Sequence, residues 1–104
     1  MAVVAFALTA IADLHRLIDT RGLPGTTRDR VRSSAAPLAT FPLLGSRLTG
    51  DWQGFRFILG PWSWMLLVYD HDELADQVSI VTIQDARSAA SVTSQRRRLR
   101  RRPY

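Results

Sequence analysis

All the basic charge of this 104-residue chain is arginine, fourteen residues with no lysine among them. A guanidinium stays charged at any working pH and presents a planar fork of donors that fits a phosphate, so an arginine on a strand or loop is a candidate phosphate contact. Three positions stand out. Arg56 lies between Phe55 and Phe57 in an alternating stretch, Arg87 follows an apolar run and stands two residues after Asp85, and Arg47 sits in a loop. Each also has a plainer reading: Arg56 as the solvent-facing member of its strand, Arg87 as one half of a surface ion pair, Arg47 as a loop residue without consequence.

The remaining arginines are unevenly spread. Arg96, Arg97, Arg98, Arg100, Arg101 and Arg102 crowd the last nine residues, while residues 1 to 95 carry eight arginines against nine acids. The net charge of +5 therefore belongs to the tail. Such a block neutralises phosphates with release of counterions, which makes Arg96, Arg97 and Arg98 auxiliary RNA contacts, yet like charges in sequence also repel and stay solvated. We expect a folded domain over residues 1–90 and a basic, disordered tail over 91–104.

Other chemistries are closed off by composition. With no cysteine there is no disulfide, thiolate zinc site or cysteine nucleophile, and two histidines alone do not make a histidine-rich metal site. His15 reads as a helix-edge residue. His71 falls in an acidic stretch, Asp70 to Gln77, that lacks the glycine and ligand spacing of a calcium loop and reads as a solvated hairpin loop. No metal and no cofactor are expected. Trp52, Trp62 and Trp64 offer indole faces on which bases stack, against the alternative that they fill the core.

The elements that must hold these residues follow from periodicity. Ala2 to Leu8 is a β-branched apolar run, and Thr9 is placed to cap a helix with Ile11, Leu14 and Ile18 on one face. Arg21 to Gly25 breaks the pattern, after which Thr26 or Thr27 can cap a second helix bearing Val31, Ala35 and Leu38. Pro37 sits badly in that helix, costing about 3 kcal/mol in an interior position, so the helix kinks near Ser33 or its last turn is separate. Phe55 to Leu59, Trp62 to Tyr69 and Val78 to Ile83 read as three strands joined by short loops, hence an antiparallel meander that the helices cover. The prediction is an α+β domain: an N-terminal strand, a two-helix hairpin, then a three-stranded meander packed on the helices. In the central strand the pattern places Trp62, Trp64, Leu66 and Val68 toward the helices and leaves Tyr69 on the other face. Neither Ala2 to Ala12 nor Phe57 to Tyr69 has the pattern of a signal peptide or a membrane span, which makes the cytoplasm the expected location.

This order of elements, with the words "LATFPLLGSRLTG", "GFRFILGPW", "LLVYDHDE" and "VSIVTIQDARS", resembles the RelE/ParE superfamily of toxins over residues 3 to 90. Leu38, Pro42 and Gly45 match the residues leaving the second helix, Phe55 and Arg56 the aromatic-basic start of a strand, and Leu66 to Tyr69 with Asp70 to Glu73 the strand ending in tyrosine and an acidic turn. The resemblance implies a toxin held inactive by a cognate antitoxin protein. Its target is then mRNA on the ribosome for a RelE-like member or DNA gyrase for a ParE-like one, and the short interval between the helices leans toward RelE. RNA cleavage needs a group to activate the 2′-hydroxyl, cations to stabilise the phosphorane and a proton donor for the leaving oxygen, supplied in RelE-like enzymes from the concave sheet face. By resemblance Arg56 and Arg87 are the catalytic stabilisers, with Arg47 and the tail as further RNA contacts. Two other strand-borne basic positions fall on Ile58 and Leu66, and the C-terminal histidine position falls on Gln84, which cannot shuttle a proton. An mRNA endonuclease with an incomplete set, a ParE-like gyrase inhibitor and a non-catalytic RNA-binding module all stay open.

Overall fold

In the computed structural model residues 1–88 are described, so the tail, including Arg96, Arg97 and Arg98, lies outside the described residues. The order is β1 (Val3–Phe6), α1 (Leu8–Arg21), α2 (Thr27–Ala35), a 3-10 turn (Ala36–Ala39), β2 (Ser46–Arg47), a second 3-10 turn (Gly50–Trp52), β3 (Arg56–Leu59), β4 (Met65–Asp72) and β5 (Gln77–Asp85). The strands form one sheet in the order β1-β5-β4-β3-β2. β1 runs parallel to β5, with the helical hairpin as crossover, and the other pairs are antiparallel. The α+β class and the meander are as the periodicity predicts. β2 departs from the expectation: two residues cannot display an alternating pattern, and Arg47 is therefore a strand residue rather than a loop residue.

Helix boundaries differ for local reasons. α1 begins after Ala7, not Thr9, and the Thr9 hydroxyl instead donates to the Val81 carbonyl at 2.6 Å, fastening the helix to β5. Gly22 ends α1 in the left-handed region with its N–H on the Ile18 carbonyl, a conformation that glycine adopts without a Cβ clash. Neither Thr26 nor Thr27 caps α2 through its side chain; the buried Thr27 hydroxyl donates to the Pro24 carbonyl at 2.6 Å. Pro37 resolves as the second expected alternative. The last turn separates into Ala36–Ala39, where proline occupies an N-terminal position that needs no N–H partner.

β4 is the centre of the sheet and is buried from Met65 to Tyr69, as its apolar run implies, but it starts at Met65. Trp62 to Trp64 form the turn before it, closed by Met65 N–H on the Trp62 carbonyl and Gly60 N–H on the Met65 carbonyl. Held in the turn, the tryptophans no longer fix the side of Leu66 and Val68, and the faces of the strand itself are the reverse of those expected. Met65, Leu67 and Tyr69 pack with Ala10, Leu14, Val31, Ala35 and Leu38 on the helix side, whereas Leu66 and Val68 join Leu48, Trp52, Phe55, Phe57 and Val81 on the side away from the helices. The tryptophans Trp62 and Trp64 still reach the helix-side core, from the turn. Tyr69, expected on the opposite face, is completely buried beneath the hairpin. β4 also runs through Asp72, so His71 belongs to the strand and only Glu73 to Asp76 form the loop.

Candidate functional site

The candidate arginines of the described residues fall into two stations. At the β2 edge, Arg47 and Arg56 are direct cross-strand partners, and Arg56 is in turn opposite Tyr69. Residues directly opposite share a face, so both arginines project on the helix side of the sheet. Arg56 donates to the carbonyls of Gly45 at 2.9 Å and Leu43 at 3.3 Å. The Tyr69 hydroxyl accepts the Gly45 N–H at 2.9 Å. Burial holds the Tyr69 phenol above its ordinary pKa, opposed by that hydrogen bond and by the nearby Arg56 charge. Arg47 and Arg56 border a groove of about 510 Å³ whose other walls come from Leu48, Thr49 and Gln53 to Phe55. A phosphate in this groove would meet two guanidiniums on one rigid pair of strands.

The second station lies where β5 ends. Asp85 is buried, its side chain 5% exposed, and Arg87 binds it from Nε and Nη2 at 3.0 Å each while the Arg87 backbone N–H donates to the same carboxylate at 2.9 Å. Arg21, from the last turn of α1, pairs with the other side of that carboxylate. The side-chain hydrogen bond from Arg87 leads in holding the Asp85 carboxyl below its usual range, against the opposing effect of burial. Both guanidiniums lie over the Trp64 ring, Arg87 at 4.8 Å and Arg21 at 5.8 Å from its centroid. Arg21 is not among the residues the sequence marks as a candidate, although it continues the helical spacing of Leu14 and Ile18. Beside this station a trench of about 450 Å³ runs along β5 past Arg16, Thr20, Thr82 and Gln84.

The two stations do not converge. Arg56 is level with Tyr69 and Asp85 with Met65 on β4, four residues and therefore about 13 Å apart along the strand at roughly 3.3 Å per residue. Of the two positions where the resemblance expects strand-borne basic residues, Leu66 is buried on the face away from the helices and Ile58 packs against the helix-side core. His15 contacts Arg28, its Nε2 at 2.6 Å, and His71 faces Asp76 at 3.2 Å, each at a site of its own. No group of three metal-binding side chains occurs among the described residues. No helix among them is long and apolar enough to cross a membrane.

A helical hairpin laid across a mostly antiparallel sheet, with one arginine station beside Tyr69 of the central strand and another beside its Met65 end, defines a small α+β protein. Solved structures make the fold specific. The toxin–antitoxin complex RelBE2 of Mycobacterium tuberculosis matches at TM-score 0.56 and 23% identity over 81% of this chain and 96% of that one. The intact Escherichia coli RelBE complex matches at 0.60 and 16%, over 85% of this chain and all of the other. The chromosomal ParDE system of Pseudomonas aeruginosa matches at 0.63 and 16%, over 82% and 96%. The chain has the RelE/ParE toxin fold. No family model matches the sequence, and no curated protein matches it.

Proposed function

We propose that this protein is the toxin of a type II toxin–antitoxin pair and acts on translation by engaging ribosome-bound mRNA, as the RelE-like resemblance implies. The observation that carries the reading is the shared fold, matched over more than four-fifths of this chain by toxins solved with RelB or ParD antitoxins. The arginine stations suit it. Arg47 with Arg56 beside Tyr69 of β4 and Arg87 with Arg21 beside its Met65 end span about four stacked-base steps of roughly 3.4 Å each. In this reading Arg56 and Arg87 neutralise phosphate charge, with Arg47 and the tail arginines Arg96, Arg97 and Arg98 adding affinity. Cleavage would also need a proton acceptor, and Gln84 cannot serve as one. Buried Tyr69, with its raised pKa, is no better placed.

Inducible expression with and without a neighbouring antitoxin gene tests the proposal. Growth arrest relieved by the antitoxin, with mRNA cut or translation halted, is expected; unimpaired growth and intact translation would remove it. A second reading is favoured by the exposed apolar side chains of Phe41, Leu43 and Leu44 before β2, which suit a protein target better than a nucleic acid. It makes the protein a ParE-like binder of DNA gyrase. Growth arrest with intact mRNA and loss of plasmid supercoiling would select that reading.

A further inference from the structure

We propose that the pole of the molecule where α1, α2 and the β3–β4 turn meet is a stacking site for single-stranded RNA, separate from the groove at Arg47 and Arg56. Four side chains form a cation–aromatic ladder there. The Arg30 guanidinium lies 4.6 Å from the Trp62 ring centroid, Trp62 and Trp64 stack at 6.0 Å with planes 19° apart, and Arg87 lies 4.8 Å from the Trp64 centroid. Arg21 adds a second cation over Trp64. The site goes beyond the toxin reading, because it would bind RNA whether or not the protein arrests growth.

Three features point to RNA. Both ends of the ladder are open: Arg30 and Arg87 are exposed, so a base can continue the stack on a guanidinium plane. The charge is in excess, since Arg21, Arg30 and Arg87 have between them only the Asp85 carboxylate, and Arg30 has no carboxylate within ion-pair distance among the described residues. The adjoining trench along β5 extends the cationic surface with Arg16, whose ion-pair partner there is Asp13. Indole and guanidinium planes accept any base, so sequence preference should be weak. A duplex keeps its bases stacked internally and has none to offer the ladder. An acidic peptide would satisfy the charge but not the stacked planes.

The test uses the full chain carrying Trp52→Phe, so that intrinsic fluorescence reports the ladder tryptophans alone, titrated with a fifteen-residue oligouridine. Saturation is expected to quench the fluorescence. Arg30→Ala and Trp62→Leu should each weaken binding at least fivefold, and Arg30→Lys, which keeps the charge but not the plane, should fall with them. The same oligonucleotide in duplex should bind at least fivefold more weakly. Changing Arg96, Arg97 and Arg98 to glutamine should lower affinity while leaving the quench at saturation. Arg30 is exposed, so its variants report binding even if Trp62→Leu fails to fold. No quench at saturation, affinity within twofold of the parent in Arg30→Ala, or equal displacement of the RNA by polyglutamate would overturn the proposal.

Discussion

Tyr69 shows how one residue serves two structural tasks at once. Its ring fills the centre of the helix-side core, and its hydroxyl accepts the N–H of Gly45, tying the loop after α2 to the sheet. A Cβ at position 45 would lie 2.6 Å from the Phe57 carbonyl oxygen and 2.8 Å from the Tyr69 ring, so only glycine lets the loop approach. Gly45→Ala is expected to lose about 1–3 kcal/mol by overpacking, measured as a lower urea midpoint at unchanged slope. Titration gives Tyr69 a second signature. Its folded pKa is raised above the unfolded value near 10, so its contribution to stability is complete below that pH and is lost as pH rises through the folded value. Tyr69→Phe should flatten the alkaline limb while costing about 1–3 kcal/mol at neutral pH for the stranded Gly45 N–H. Asp85 works in the opposite sense. Its carboxyl is held below the usual value near 4, so its contribution is present above that pH and lost as pH falls below it. Acid unfolding monitored by circular dichroism should show a limb below about pH 4 that Asp85→Asn removes; an unchanged limb would assign it to another carboxylate.

At the scale of elements, the weak point is the end of β5. β1 covers only Gln77 to Ile80, which leaves the rest of that strand without a partner on one side. α1 supplies the cover through Asp13, whose carboxylate accepts the Thr82 hydroxyl and the Ile83 N–H at 3.3 Å, and through Thr9 on the Val81 carbonyl. Such side-chain pairing both satisfies edge groups and blocks edge-to-edge association. Asp13→Ala should cost about 1–3 kcal/mol and raise amide exchange at Ile83 ahead of global unfolding. If exchange there stays at the level of the buried core, α1 is not what protects the edge. These elements also set how far the sequence can be read. Helix stripes and the apolar run of β4 are legible, because burial imposes period 3.6 or continuous hydrophobicity. The start of β4 is not, since Trp62 and Trp64 satisfy a strand pattern while Pro61 and the turn hydrogen bonds hold them out of the ladder.

For the whole molecule, the two arginine stations, about four residues apart along β4, make separable contributions to the proposed action on mRNA. Arg47→Ala with Arg56→Ala should abolish growth arrest without unfolding the chain, because Arg56 gives up only rim hydrogen bonds to the Leu43 and Gly45 carbonyls. Arg87→Ala should weaken growth arrest as well, and additively, given the separation of the sites. Arrest that survives the double substitution would move the target surface to the exposed Phe41, Leu43 and Leu44 and to the gyrase reading. The resemblance pairs Arg56 and Arg87 as catalytic stabilisers. Each is present at its expected place in the chain, and the sheet keeps them apart.

By itself the sequence determined the class of fold, the hairpin between Gly22 and Gly25, a disturbance of the second helix by Pro37 and the candidate arginines, because these depend on local periodicity, backbone freedom and charge. Only the tertiary structure decided which face of β4 meets the helices, that Arg47 stands opposite Arg56, and that Arg21, Arg30, Trp62, Trp64 and Arg87 meet at one pole. Alternation says which residues of β4 share a face but not which face meets the helices, and with Trp62 and Trp64 held in the turn their side does not fix that of Leu66 and Val68. The packing of α1, α2 and the β3–β4 turn joins residues dozens of positions apart, a relation that no local pattern in one chain records.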